Sequence, residues 1–446
     1  MLNPIKVGIL GLGTVGGGTV HILQHNAEEI ARRAGRGIVV SHACAKELNK
    51  THPYNTDSIQ LTSQLAEVVN QPEVDIIIEL LGGTTVAREL TLQAIANGKH
   101  VVTANKALIA KHGNEIFAAA EKQGVMVAFE ASVGGGIPII KALREGLAAN
   151  KIKWVAGIIN GTSNFILTEM RNKGREFSDV LKEAQTLGYA EQDPTFDIEG
   201  IDAAHKLTIL ASLSFGIPLQ FEKAYTEGIT KITAEDVGYA DELGYRIKLL
   251  GIAKRIQKTT AQGVEEGIEV RVHPTFVPRR HLLANVEGVM NAVLVQSDML
   301  GQSLYYGAGA GALATGSAIV ADLVDIVRAL TTDSGNRVPH LAFQPSGLSD
   351  LPILPISEIN SAYYLRMTAL DRVGVLAQVA GILSQNGISI EAIRQKEPTA
   401  GNARVSIVLV THKVAEKQAD KAIAAIEQLE GISGQVMRIR LESLEG

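Results

Sequence analysis

The spacing of apolar positions makes the chain begin as strand and helix in alternation. Ile5 to Leu10 is a short unbroken apolar run, the mark of a strand buried on both faces, and it passes directly into the helix-period segment GLGTVGGGTVHILQ. Ile38 to Ala45 predicts a second strand and VDIIIELLGG (Val74 to Gly83) a further buried one. Val86 to Asn97 predicts a helix stopped by Gly98, and His100 to Thr103 and Val125 to Phe129 predict two more strands. Beyond Pro138 the alternation lapses. Trp154 to Gly161 reads as a strand entering a turn at Asn160-Gly161, with Thr162 or Ser163 placed to cap a helix. Phe177 to Gly188 predicts a helix, and so does the stretch from about Ile201 to Phe215, where Ala203, Leu207, Ile209, Leu210 and Leu213 recur at helical spacing. Asp236 to Arg255 also carries a helical pattern, within a stretch of mixed signals from Leu219 to Arg279. After the glycine-rich run from Tyr305, an apolar helix starts at about Ala312.

Residues 331 to 360 carry Pro339, Pro345, Pro352 and Pro355 among Gly, Ser and Asp, which is linker composition. A new unit follows: strand Ala362 to Ala369, helix Gly374 to Gln385, strands Ile388 to Gln395 and Ala403 to Thr411, helix Val414 to Leu429, strand Gln435 to Arg440. That order is βαββαβ, a ferredoxin-like sandwich. The expected fold class is therefore α/β, with a Rossmann-like dinucleotide-binding domain over 1–136, an α+β domain over 137–311, a linker over 331–360 and a ferredoxin-like domain over 361–446.

Composition narrows the function. The 446 residues are 46% hydrophobic and 20% charged with a formal charge of -5. That is material for two or three domains, without the basic excess that a nucleic-acid or anionic-membrane partner calls for. A small-molecule ligand is expected. The single cysteine, Cys44, excludes an internal disulfide framework and a multi-cysteine metal cluster, and fits a reducing compartment. No basic-then-apolar leader precedes Ile5 and no apolar run reaches bilayer-spanning length, so the chain reads as cytoplasmic. Glycine clusters in three loops, pointing to close backbone approach to ligands.

In the first of these loops Gly11, Gly13 and Gly16 form G-x-G-x-x-G between a strand and a helix. The first glycine permits a tight turn, the second admits a pyrophosphate and the third lets helix pack on strand, while free N–H groups of the helix start hold phosphate. The second strand ends Cys44-Ala45-Lys46-Glu47. Lys46 there favours a ribose 2′-phosphate and hence NADP, and Glu47 beside it keeps NAD open. Lys106 lies just past a strand's carboxyl end, on the ligand side of the sheet, a place equally open to a surface lysine. Glu130 with the carbonyls of the turn after it is an oxygen-ligand set for a hard monovalent cation, which spacing alone does not establish. The third loop, from Tyr305, is either a phosphate-facing loop closing over a cofactor or a hinge. The densest chemistry lies in YAEQDPTFDIEGIDAAHK, Tyr189 to Lys206. Lys206 is in line with Ile209, Leu210 and Leu213 and so faces inward, and Asp202, four residues earlier, shares its face. A structural ion pair is the plain alternative.

Together these pieces resemble the homoserine dehydrogenase family over residues 4 to 340, through GLGTVG, TANKAL, FEASVGGGIP, INGTSNFIL, GYAEQDPTFDIEGIDAAHKL and YYGAGAG in that order. The tail, with DRVGVLAQVAGILSQNGISIEAI from Asp371 to Ile393, is similar to ACT domains, which often bind amino acids. The resemblance implies NADP-dependent, or NAD-dependent, interconversion of L-homoserine and L-aspartate 4-semialdehyde on the route to threonine, methionine and isoleucine. It adds a helix near 312–330 to the first domain and gives the second its catalytic and oligomerisation roles. It implies Lys206 as the proton-transfer lysine with Asp202 beside it, Lys106 as the other active-site lysine and a cofactor contact, and Glu191 as the residue taking the homoserine ammonium, with Asp197 in the same pocket. Leu12, Thr14 and Val15 fall in the cofactor loop and Gly307 in the loop closing over it. Glu130 with the backbone of Val133, Gly135 and Ile137 corresponds to a sodium site. A homo-oligomer and threonine as effector are implied as well. The chain departs from many relatives at Ala45-Lys46, where an acidic or arginine-bearing turn is usual.

Two rival readings make different demands. A semialdehyde dehydrogenase proceeds through a cysteine thioester, and Cys44 lies at the second strand, far from the nicotinamide. A catalytically silent amino-acid sensor has no use for Glu191, Asp202, Lys106 and Lys206 together. In the tail, the turn Asp371 to Leu376 beside Asn386 is the expected holder of an amino acid's charged ends, a packing or dimerisation module being the alternative.

Overall fold

The computed structural model describes residues 3–48, 53–260, 263–331, 333, 335, 337–396 and 404–444; Ala403, the expected start of a strand, lies outside them. Two compact units are each assembled from three stretches of chain. The first takes the residues through Gly161 with Asp202–Ala224 and Val289–Leu351, and the second takes Thr162–Ile201, Tyr225–Gly288 and the residues from Pro352 onward.

In the first unit six parallel strands, β1 (Ile5–Leu10), β2 (Ile38–Cys44), β3 (Gln60–Thr62), β4 (Ile76–Glu79), β5 (His100–Thr103) and β6 (Val127–Ala128), stand in the order β3-β2-β1-β4-β5-β6. Strand order reverses between β1 and β4, and a sheet of this kind takes its ligand in the crevice outside the carboxyl ends at that point. Both strands are apolar runs because both faces are covered: β4 is buried throughout and β1 everywhere but Lys6. The helices that matter to the site are α1 (Thr14–His25), α2 (Lys106–Gln123), α3 (Ile201–Phe215) and α4 (Ala312–Ala329). α4 places Ala318, Ile319, Leu323 and Val327 in one core with Ile5, Val7, Ile9, Ile76 and Ile78. Helices α1 and α4 touch so closely that a Cβ on Gly18 would lie 2.2 Å from the Ala312 carbonyl oxygen. A separate antiparallel set pairs Ile152–Ile158 with Met290–Ser297, and that strand with Gln302–Ala308. Gly307, expected in a closing loop, is therefore a strand residue opposite Asn291, its ladder bonds already fixed by the pairing.

The second unit is built around a long hairpin, Tyr245–Thr260 against Gly263–Pro278. The helical pattern over Asp236 to Arg255 is only half realised. The helix spans Ala234–Glu242, opened by a reciprocal cap between Thr233 and Asp236, and Gly244, at φ +83°, follows its end. A strand buried on both faces shows the same apolar run as a buried helix, so periodicity does not separate them, and here the ladder with the partner strand decides. The C-terminal part forms the expected βαββαβ sandwich. Its sheet runs Ile432–Leu441, Asn360–Leu370, Arg404–Thr411, Ile390–Gln395, with helices Val375–Gln385 and Glu416–Glu427. Strand Ile432–Leu441 also pairs in parallel with the hairpin, Thr275 opposite Arg440 and Phe276 opposite Leu441. Side chains reinforce the junction: Arg366 Nε donates to Asp236 Oδ1 at 2.7 Å and Tyr364 Oη to the same oxygen at 2.9 Å. The turn at Gly374 and Asn386 do not form one holder. They lie at opposite ends of helix Val375–Gln385, about 16 Å apart at the usual helical rise, and Asn386 Nδ2 donates to Ile382 O at 2.8 Å.

Candidate active site

α3 is buried at every residue from Asp202 to Phe215, so the charges of its first turns have to be satisfied inside the protein. Lys206 is 9% exposed. Its Nζ donates to Asp202 Oδ2 and to the Ile159 carbonyl oxygen, both at 2.7 Å. Asp202 Oδ2 accepts from Asn160 Nδ2 at 2.9 Å, and Oδ1 lies 3.0 Å from Lys106 Nζ. Burial on its own would push the Asp202 carboxyl up. The charges of Lys206 and Lys106, with the hydrogen bonds from Lys206 and Asn160, outweigh that and hold it well below the usual carboxylate range. His205 stacks on Phe221 with centroids 4.2 Å apart, and burial and then the Lys111 charge bring it down to about 4, so its ring is neutral at pH 7.

Lys106 owes its place to β5 and α2. It is the first residue of α2, and Asn105 caps that helix by accepting from Leu108 N at 3.0 Å. The amine thus starts at the carboxyl end of a central strand, on the crevice side.

The glycine turn is shaped for a pyrophosphate. Gly11 has φ +105°, and a Cβ on Gly16 would lie 2.4 Å from the Gly11 carbonyl oxygen, whereas one on Gly13 would meet nothing within 4 Å. The first and third glycines answer to the fold and the second to open space at the start of α1. That helix start has no side-chain cap, which leaves the N–H groups around Thr14 and Val15 for a phosphate. Leu12 is buried beneath the turn, and both Gly11 N and Leu12 N donate to Cys44 O at the end of β2. Lys46 is exposed just beyond that end.

Glu130, Val133, Gly135 and Ile137 are all buried. Glu130 Oε1 and Oε2 accept from Ile140 N at 2.9 Å and Lys141 N at 2.8 Å, and Glu130 N donates to Asp322 Oδ2 at 2.9 Å. Burial, and next the Glu130 charge, push the Asp322 carboxyl up to about 8. Among the described residues no group of three or more His, Cys, Asp or Glu side chains gathers as a metal site. Any cation at this turn would therefore rest mainly on main-chain oxygens.

Three family models match in sequence order: the NAD-binding domain of homoserine dehydrogenase over residues 11–130, homoserine dehydrogenase over 138–324 and the ACT domain over 363–431. The chain is 64% identical over 443 residues to a homoserine dehydrogenase of Pseudomonas aeruginosa, covering 99% of this chain and 100% of that protein. The chain belongs to the homoserine dehydrogenase family. A crystal structure of a homoserine dehydrogenase from Thiobacillus denitrificans superposes with a TM-score of 0.92 at 62% identity, covering 99% of each chain. A hyperthermophilic archaeal homoserine dehydrogenase in complex with NADPH superposes at 0.59 and 26% identity, over 73% of this chain and 98% of that one.

For a homoserine dehydrogenase the convergence of Lys206, Asp202 and Lys106 is the informative part of the site. Glu191 and Asp197 belong to the second unit. Glu191 is exposed with its carbonyl accepting from Gln185 Nε2 at 3.1 Å, and Asp197 is half-buried in helix Thr195–Ile198 with its carbonyl accepting from Ser163 Oγ at 3.0 Å. The thioester route finds no support at Cys44, which is buried in β2 with its thiol pushed up by burial, an unreactive state. The family's NAD(P)-dependent oxidoreductase chemistry stands instead. Sequence reasoning missed Asn160, Asn105 and Glu79. Asn105 carried a readable signal, a capping residue just ahead of a helix, whereas Asn160 read only as half of a turn.

Proposed function

We propose that the protein interconverts L-homoserine and L-aspartate 4-semialdehyde, with NADP as the preferred nicotinamide cofactor. The observation that carries this reading is one buried carboxylate, Asp202, between two lysine amines at the carboxyl end of β5. The nicotinamide, when bound, accepts or returns the hydride. The glycine turn and the start of α1 hold its pyrophosphate, and Lys46 takes the 2′-phosphate. Lys206 spends two of its three hydrogen-bonding positions on Ile159 O and Asp202. Through the third it takes the homoserine hydroxyl proton and gives it back in the reverse direction. Asp202 orients that amine, and the Lys106 charge favours the oxygen that turns anionic as the proton leaves. Glu191 takes the substrate ammonium, with Asp197 in its pocket.

The carbonyls of Val133, Gly135 and Ile137 with Glu130 would hold a sodium ion, whose work is to stiffen the turn in which Gly134 and Gly135 both have positive φ. The ACT domain binds threonine as a feedback effector, and the protein is a cytoplasmic homo-oligomer. No helix among the described residues is long and apolar enough to cross a membrane. The test follows the near-ultraviolet absorbance of the reduced nicotinamide with homoserine and either cofactor, with and without threonine. Homoserine-dependent reduction, faster with NADP and slowed by threonine, is expected; no reduction with either cofactor would end this reading.

A further inference from the structure

Behind Lys106 runs a hydrogen-bond chain that the proton chemistry leaves unused. It starts at Glu79, the last residue of β4 and 0% exposed. Glu79 Oε1 accepts from Leu81 N at 2.7 Å and Oε2 from Thr103 Oγ1 at 2.5 Å. Thr103 Oγ1 accepts in turn from Asn105 N at 2.9 Å. The Asn105 side chain is used at both ends: Oδ1 accepts from Leu108 N at 3.0 Å, and Nδ2 donates to Leu81 O at 3.1 Å and Gly83 O at 2.8 Å. Its orientation is unambiguous, since one end meets an N–H and the other two carbonyls.

A carboxylate buried among these neutral donors is costly if folding is its only task. The arrangement does something more specific. It joins the turn after β4 to the residue next to Lys106, so that the ends of two neighbouring strands and the start of α2 move together. The peptide bonds are all trans. With the Leu81 and Gly83 carbonyls drawn to Asn105, the N–H groups of Gly82 and Thr84 point to the other side of the turn.

We infer that Asn105 is a positioning residue for the reaction: it places the Lys106 amine and the 81–83 turn as one piece, with Glu79 and Thr103 holding it. This rests on the reading that Lys106 works at the site. Asn105→Asp keeps the oxygen that caps α2 and removes both donors to the turn, and Asn105→Ala removes both functions. Each is expected to lower kcat by roughly 10- to 100-fold and to raise the cofactor KM, as misplacement by a fraction of an ångström does. The Asn105→Asp protein should melt close to wild type. Thr103→Val, which cuts the link to Glu79, should show the same kinetic split, and Thr103→Ser should restore it.

A Lys106→Met control separates the two layers: wild-type turnover there would mean the reading of Lys106 is wrong. If Lys106→Met is impaired while Asn105→Asp and Thr103→Val keep wild-type kcat and cofactor KM, the positioning role is overturned. It is overturned equally if only Asn105→Ala is affected, since Asn105 would then be a helix cap and nothing more.

Discussion

Asp202 Oδ1 lies 3.0 Å from Lys106 Nζ, although the two residues start different helices. The other oxygen of Asp202 is taken by Lys206. A buried ion pair is weak support for stability, because desolvation offsets most of the attraction. Two lysines gathered on one buried acid therefore point to chemistry more than to folding.

Replacing Lys206 with Met should cut turnover by about two to four decades while NADPH still binds, since the amine moves a proton and touches no part of the glycine turn. Steady-state kinetics beside a cofactor-fluorescence titration checks this. Near-normal turnover in that variant would remove Lys206 from the proton path.

Two glycines one helical turn apart should fail in different ways. A methyl group on Gly18 meets the Ala312 carbonyl oxygen at 2.2 Å, so Gly18→Ala should cost about 1–3 kcal/mol of stability, read in a denaturant melt. A methyl group on Gly13 meets no protein atom within 4 Å. Gly13→Ala should melt like wild type and lose cofactor affinity, because the space it fills is the one proposed for the pyrophosphate. Equal melting points for the two variants would contradict this division.

Lys46 is the residue on which the cofactor preference turns. Lys46→Glu should raise the KM for NADP about tenfold or more, the worth of one charge-assisted hydrogen bond, and leave that for NAD nearly unchanged. Parallel loss with both cofactors would show that Lys46 does not meet the 2′-phosphate.

His100 and His340 make the first unit sensitive to acid. His100 Nδ1 accepts from Met126 N at 2.9 Å and His340 Nε2 from Val127 N at 3.1 Å, so both rings are neutral in the fold, and burial holds each at about 4. An unfolded histidine takes its proton near pH 6.5. As the pH falls the unfolded chain therefore binds protons first. The stability present above about pH 6.5 is lost progressively down to about pH 4, by up to about 1.4 kcal/mol per pH unit for each ring. Urea midpoints across that window should fall, and less steeply in His340→Gln; a flat profile would contradict the neutral rings.

Removing the ACT domain is a poor way to test threonine feedback, because Asp236 is fully buried and Arg366 is its ionic partner. Arg366→Met alone should cost about 3 kcal/mol, the usual penalty for leaving a buried charge unpaired. Truncation before Asn360 should cost at least as much. A truncated protein as stable as the full chain would show that the junction bears no weight.

The dinucleotide fold and the βαββαβ tail were readable along the chain because their signals are local: buried runs for strands, glycines at turns and the 3.6-residue period. Lys206 facing inward beside Asp202 follows from the same period. What spacing could not supply was the arrival of Lys106 on Asp202, the return of α4 to a core begun by β1, the strand over 245–260 and the chain from Glu79 to Asn105. Each depends on which strands stand side by side and how closely helices approach. Sheet order and packing settle those relations in three dimensions, where residues far apart in sequence meet, and no periodicity along the chain encodes the meeting.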